Sequence, residues 1–381
     1  LVDIAYIVPS RIPGTAANAI HTMKMAQALL EIDPALLSIT VKGVGDCSPE
    51  TIKSVYGLQK APQLVRLAAK GRYGIHLFNI RAALRARLKG AKCVLSRSIG
   101  AATMAARLGL PTIYECHAPP QGFEKKYWNL LTRSKQCKRI IVISNALRNI
   151  ILERIPGADK LDIVVAHDGV DLDRFRNLGD AATTKHKAGR DPSRPIAAYA
   201  GHLYAGRGIE IILACAKALP DWDFVLAGGT KQDVQNFTDE TARLGLSNIE
   251  FWGFVPNSTL AEKLSIADVL LMPYQKTVAV SSGSLDTAQW MSPLKMFEYL
   301  AMGRAIISSD LPVLREVLNS ENAALVEADS PASWIKALQN LETAEARLPL
   351  INAASKSVGQ YDWRKRAASI LQDIPEIGTQ I

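Results

Sequence analysis

The chain has 381 residues, 48% of them hydrophobic, with 45 Lys+Arg against 36 Asp+Glu and a formal net charge of +9. That length exceeds one ordinary core and points to two domains, and no apolar run reaches the roughly 18 residues of a membrane span. Five scattered cysteines (Cys47, Cys93, Cys116, Cys137, Cys215), none in a Cys-x-x-Cys, argue against a zinc ribbon or disulfide framework and suit reduced thiols in a cytosol.

The first residues lack a basic start, so no signal peptide is expected. Residues 2–8 read as a strand, 9–18 as a loop of small residues and 19–31 as a helix. Further strands are expected at 37–41, 75–78, 93–96, 112–115, 139–143 and 163–166, with helices between most of them. Strand–helix alternation means a parallel, doubly wound sheet. Ligands in such sheets sit at the carboxyl ends of strands. Attention therefore falls on the 9–18 loop, His117, Ser144 and the run His167-Asp-Gly169.

Residues 177–195 are polar, basic and rich in Gly, Thr and Pro, and read as an interdomain linker. The alternation then restarts. Strand 196–200 ends in Gly201-His-Leu-Tyr-Ala-Gly-Arg-Gly208. Helix 209–219, strand 224–227, helix 231–244, strand 249–252, helix 258–266 and strand 269–272 follow. A loop over 273–291 leads to a helix with Ser292 as cap, Pro293 at its first position and Gly303 as its left-handed stop. Residues 305–309 read as a buried parallel strand. Short helices are expected near 312–318 and 332–341, and 361–374 is amphipathic and basic. Glu298 is the odd residue on the 292–303 helix, because it shares an apolar stripe with Leu294, Ala301 and Met302. Such a carboxylate is buried at a cost, solvated in a cleft, or bonded to something.

Charge is uneven. Residues 1–190 carry 29 Lys+Arg against 14 Asp+Glu, and residues 191–381 carry 16 against 22. Between Glu50 and Glu115 there are twelve Lys/Arg and no acid. This asymmetry points to an anionic partner for the first half. No nucleic-acid motif is present and aromatics do not interleave with the basic runs. An anionic membrane surface is the expected partner, and nucleic acid is not.

Several motifs together resemble glycosyltransferase family 4, the retaining, group 1 nucleotide-sugar transferases. Val142-Ile-Ser-Asn-Ala-Leu147 is similar to the family's strand–Ser–x–Ala–Leu segment. His167-Asp-Gly-Val-Asp-Leu-Asp-Arg-Phe175 resembles its Asn-Gly-Val-Asp loop, with Asp168 in place of Asn. Tyr199–Gly208 resembles its phosphate loop. The turn at 253–256 with 267–273 resembles the base-holding segment, and 292–310 the donor helix. The resemblance implies an α/β, GT-B fold: two doubly wound Rossmann-like domains facing a central cleft. Residues 1–180 would bind acceptor, 195–355 would bind the nucleotide sugar, and a C-terminal helix in 356–381 would pack back toward the first domain.

By the same resemblance, Glu298 would accept hydrogen bonds from the donor ribose. The Pro293, Leu294 and Lys295 backbone would cradle the distal phosphate, and Arg207 would pair with the diphosphate. Gly201 and His202 belong to the phosphate loop, and Gly253, Phe254 and Val255 would edge the base. Thr15, Ala16 and Ala17 would let backbone approach the phosphates, and His117 would lie beside the transferred sugar. Arg207, Glu298 and His117 are the candidate catalytic residues. His21 and Lys24 could meet an acceptor phosphate; a partly exposed helical face is the alternative. Two departures stand out. Trp290 occupies the place of the family's first glutamate, with Asp286 as a possible substitute, and His202 occupies an Arg position. Asp171-Leu-Asp173 reads as structural, so no cofactor and no essential metal are expected.

The implied activity is sugar transfer from a nucleotide-diphosphate donor to a glycan or lipid-linked acceptor, in glycan, glycolipid or envelope-polysaccharide assembly. The expected location is cytoplasmic, peripheral on the inner face of the cytoplasmic membrane. An epimerase or hydrolase on the same fold, or a non-catalytic nucleotide-sugar-binding subunit, are the alternatives.

Overall fold

The computed structural model describes residues 3–278 and 286–377. The chain forms two compact units, Leu1–Gly169 with Trp363–Ile381, and Val170–Asp362. The part of the 273–291 loop at 279–285 and the last four residues of the expected C-terminal helical segment lie outside the described residues.

The first unit runs β1(Ile4–Ile12), α1(Ala17–Ile32), β2(Leu37–Lys42), α2(Pro49–Tyr56), β3(Gln63–Leu67), α3(Gly74–Leu88), β4(Cys93–Ser96), α4(Ile99–Arg107), β5(Thr112–Cys116), α5(Glu124–Thr132), β6(Cys137–Val142), α6(Asn145–Arg154) and β7(Ile163–Val165). The strands pair in parallel in the order β3-β2-β1-β4-β5-β6-β7. Central strands such as β4 and β5 are buried along their whole length, as a sheet covered on both faces requires. Strand order reverses between β1 and β4, which makes their carboxyl ends the switch point. Ser98 and Ser144 cap α4 and α6, accepting from Ala101 N–H (3.3 Å) and Leu147 N–H (3.0 Å).

The second unit runs α7(Ala181–Lys187), β8(Ile196–Ala200), α8(Ile209–Ala218), β9(Asp223–Ala227), α9(Lys231–Arg243), β10(Ile249–Gly253), α10(Asn257–Leu264), β11(Val269–Met272), α11(Leu294–Ala301), β12(Ala305–Ser309), β13(Ala324–Val326), α12(Pro331–Asn340) and α13(Ala344–Ser357). Its parallel sheet has the order β10-β9-β8-β11-β12-β13, so the switch point lies between β8 and β11. Tyr199, Trp222, Phe224 and Trp334 anchor its core. The last helix, α14(Trp363–Leu371), belongs to the first unit and packs on α1.

Three expectations are corrected. Residues 75–78 lie inside α3, and the strand that flanks β2 is β3. Residues 177–195 are part of the second unit: α7 is tied down by a buried Lys185–Asp268 ion pair of 2.7 Å, by Thr184 Oγ1 donating to Ser265 O (2.7 Å) and by Arg304 donating to Gly179 O (2.9 Å). The donor-type helix starts at Leu294 rather than Pro293, which holds the extended cap position with φ −78° and ψ 126°.

Candidate functional site

Each unit gathers polar groups at its own switch point. In the second, the loop after β8 folds tightly because two glycines permit it. A Cβ on Gly208, at φ +72°, would fall 1.9 Å from Pro273 O. A Cβ on Gly201 would fall 2.7 Å from both Lys295 Nζ and Tyr199 Oη. The loop and the start of α11 thereby bring two cations onto aromatic rings. Lys295 Nζ lies 3.9 Å from the Tyr199 ring centroid and 5.1 Å from that of Tyr274. Arg207 Cζ lies 5.2 Å from the Tyr204 centroid and 5.3 Å from that of Tyr274. Desolvation, and then the charge of Arg207, push the Lys295 ammonium well below its usual range, with Glu298 acting in the opposite sense. His202 stacks on Tyr204, centroids 4.8 Å apart. Burial, Arg207 and Lys295 lower its imidazole, which leaves it neutral at pH 7.

Glu298 is half-buried and already has a partner that sequence reasoning missed. Asn257 Nδ2 donates to Glu298 Oε1 at 3.0 Å, and Arg174 Nη1 donates to Asn257 Oδ1 at 2.8 Å. An Asn directly after Pro256, opening a helix at a strand's carboxyl end, is the only signal the sequence offered. Gly253 ends β10 at φ +63°, with Phe254 exposed and Val255 buried beyond it. Pro293 and Leu294 are half-buried at the start of α11. Trp290 is buried. Asp286 Oδ1 accepts from Val278 N–H (2.8 Å) and Ala288 N–H (3.0 Å), so that oxygen closes its own loop.

In the first unit a buried network surrounds Glu115, a carboxylate in the otherwise apolar β5. Its Oε1 receives His21 Nε2 (3.2 Å), His117 Nε2 (2.9 Å) and Arg366 Nη2 (2.9 Å). His21 Nε2 also lies 3.1 Å from Asp168 Oδ1. Arg97, from the carboxyl end of β4, donates Nη1 to His21 Nδ1 (2.9 Å) and Nη2 to His117 Nδ1 (3.2 Å). A guanidinium only donates, so both imidazoles accept at Nδ1 and carry their proton on Nε2. Burial raises Glu115, but Arg366, His21 and His117 outweigh it and hold the carboxyl well below its usual range. Burial and Arg97 lower His117 to about 4. His21, Glu115 and His117 are also the one group among the described residues spaced to hold a metal ion. Their facing atoms are engaged by one another and by two guanidiniums, and so form a hydrogen-bonded charge network instead.

His117 therefore sits at its strand end, three-quarters buried, and Thr15, Ala16 and Ala17 are exposed at the start of α1. The two residues read as acceptor contacts are corrected. His21 is buried in the network, and Lys24 is buried with Nζ donating to Gly57 O at 2.8 Å. Both lie on the face of α1 that α14 and α2 cover.

Residues 41–174 match the family model Glycosyltransferase Family 4, and residues 194–343 match Glycosyl transferases group 1. The chain belongs to glycosyltransferase family 4. Among curated relatives, D-inositol 3-phosphate glycosyltransferase of Segniliparus rotundus is 28% identical over 226 residues, 56% of this chain and 47% of the relative. Alpha-maltose-1-phosphate synthase of Mycobacterium tuberculosis is 24% identical over 206 residues, 52% of this chain and 50% of the relative. The chain thus spans about half the length of the curated relatives it matches. Among solved structures, Anabaena HepE in complex with UDP-glucose superposes with a TM-score of 0.74 at 14% identity, covering 98% of this chain and all of that one. Sucrose-phosphate synthase of Thermosynechococcus elongatus gives 0.73 at 15% identity, covering 97% and 98%. The two Rossmann-like units, with seven and six parallel strands, are those of the GT-B glycosyltransferases.

Proposed function

We propose that this family 4 protein transfers a sugar from a nucleoside-diphosphate donor to an acceptor hydroxyl, with retention at the anomeric carbon and without a metal. The observation that carries the reading is the pair Arg207 and Lys295 held over Tyr199, Tyr204 and Tyr274 at the second unit's switch point. Two cations beside the N–H groups that open α11 suit a diphosphate, and they stabilise the charge that develops as the sugar leaves. Glu298, oriented by Asn257, takes the ribose hydroxyls, and Gly253, Phe254 and Val255 edge the base. The departing phosphate takes the acceptor proton on the same face, so no protein nucleophile is needed. The protein's contribution is position and charge. In the first unit, the side chains of Thr15, Ala16 and Ala17 leave backbone open to a phosphate, and the network presents His117 as a neutral imidazole. The acceptor is a glycan or lipid-linked hydroxyl at an anionic membrane; among the described residues no helix is long and apolar enough to cross one.

HepE was solved with UDP-glucose, which makes that sugar the first donor to try. A thermal-shift screen of UDP-, GDP- and ADP-sugars tests the reading. A true donor at a hundred times its Kd adds about 2.7 kcal/mol to the folded state. One nucleotide class should raise the transition, and turnover with that donor should give product of unchanged anomeric configuration by NMR, equally in EDTA. Inverted product overturns retention; loss of turnover in EDTA overturns metal independence. If no nucleotide sugar stabilises the protein, the donor assignment fails.

A further inference from the structure

The first unit carries an exposed apolar face that its core does not explain. Helix α3 buries Phe78, Ala82, Ala83 and Ala86 against the sheet. Its opposite side is also apolar: Tyr73 just before the helix and Leu77, Ile80, Leu84 and Leu88 along it are 43–82% exposed. At 3.6 residues per turn these five fall within an arc of about 80°. Arg87 borders that arc on one side, and Arg81 and Arg85 on the other; all three are exposed. The helix end nearest α5 adds Phe123, 57% exposed, whose ring packs edge-on to His76 at 6.0 Å. Cations accompany the exposed rings: Arg72 Cζ lies 6.0 Å from the Tyr73 centroid, and Lys126 Nζ lies 5.3 Å from that of Phe123.

Scattered exposed apolar residues are ordinary, but eight of the eleven exposed large hydrophobics among the described residues lie on α3, α5 and the residues that lead into them. A contiguous Leu/Ile/Tyr stripe rimmed by arginine is the pattern of a helix that lies in a membrane interface, with apolar side chains among the acyl tails and guanidiniums at the headgroups. Charge decides the occupant. From 51 to 114 the chain has twelve Lys/Arg and no acid, so an anionic bilayer is complementary, whereas a second copy of this basic face would repel.

We propose that the outer face of α3, with Tyr73 and Phe123, is a docking surface for an anionic lipid bilayer. It deepens the reading of an acceptor presented at a membrane, and rests on that reading for its purpose though not for its physics. The test is flotation of the full chain with vesicles of phosphatidylcholine, with and without phosphatidylglycerol, at low and high salt. Wild type should float with the anionic vesicles only, and less at high salt. Leu77→Glu with Leu84→Glu should cut the bound fraction at least tenfold. Arg81→Glu and Arg85→Glu should each cut affinity about fivefold or more. The thermal transition and donor binding should be unchanged in all of them, because these side chains are exposed. Wild type that fails to float, or variants that float like wild type, would overturn the assignment. So would a wild-type dimer, seen by sedimentation, that Leu77→Glu dissociates. Turnover on a water-soluble acceptor, measured in parallel, separates the two claims. If it is absent in wild type while flotation behaves as described, the transfer reading fails and the surface stands.

Discussion

Replacing Arg366 with Met removes the one strong cation that Glu115 keeps inside the first unit. Arg366 is 5% exposed and Glu115 fully buried, and their charged atoms are 2.9 Å apart. The same guanidinium donates Nε to His167 O at 2.8 Å and Nη2 to Ala166 O at 3.3 Å. Breaking a buried pair by deleting one partner costs about 3–5 kcal/mol, because an uncompensated charge stays behind. The His21 and His117 N–H groups still reach Glu115, which places the expected loss at the lower end, about 3 kcal/mol. For a unit of this size that lowers its transition by about 6–12 °C. The pH dependence identifies the cause. In the wild type the Glu115 carboxyl is held below its usual range, so its contribution is present above the unfolded glutamate value, about 4.3, and fades as pH falls through the lower folded value. Without Arg366, burial dominates and the carboxyl takes up a proton more readily. The deficit of the variant should therefore be largest near neutrality and shrink toward about pH 5. Denaturant unfolding at several pH values measures this, with hydrogen exchange on β5 assigning the transition to the first unit. Adding Glu115→Gln should recover part of the loss. A deficit under about 1 kcal/mol, or one that is constant with pH, would refute the reasoning.

Two further outcomes follow from the charged groups. Because Lys295 is held well below its usual range, a bound diphosphate should restore its charge, so donor binding takes up protons and weakens as pH rises. Calorimetry in buffers of different ionisation enthalpy should show that uptake, and Lys295→Met should abolish it; buffer-independent heats in the wild type would contradict it. His117 sits near 4 when folded, below the unfolded value of about 6.5, so stability is lost as pH falls from 6.5 toward 4. Its share at pH 4 is about 3 kcal/mol, and His117→Asn should flatten that slope; an unchanged slope would put the proton uptake elsewhere.

The alternation of strands and helices was legible because parallel strands buried on both faces read as short apolar runs. Two places misled. Ile75-His-Leu-Phe78 looks like a strand because α3 is apolar on its solvent side as well as its core side, which hides the 3.6-residue period. The true strand, Gln63-Leu-Val-Arg-Leu67, lies at the sheet edge, where its side chains are only partly buried and its pattern is weak. The 177–195 stretch has linker composition, yet the buried pair Lys185–Asp268 joins residues 83 apart, which composition does not report. The same holds for the sites. Strand ends singled out His117 and the 201–208 loop. Arg97, Asp168 and Arg366 escaped because they meet His21 and Glu115 only through the fold, Arg366 from 251 residues away. Asp168, which departs from the family's Asn, pairs here with His21. The available signal was Glu115 itself, a carboxylate in a strand that is otherwise apolar or small.

The central claim is that the second unit's switch point binds a nucleotide sugar through Arg207 and Glu298. Calorimetric titration of UDP-glucose, followed by GDP- and ADP-glucose, into the wild type and into Arg207→Ala and Glu298→Ala tests it most directly. The account predicts saturable binding of one nucleotide class by the wild type. It predicts affinity and turnover at least about tenfold lower in each variant, the range for losing one such contact, with the thermal transition retained. No saturable binding of any of the three by the wild type, or wild-type affinity and turnover in both variants, would contradict it.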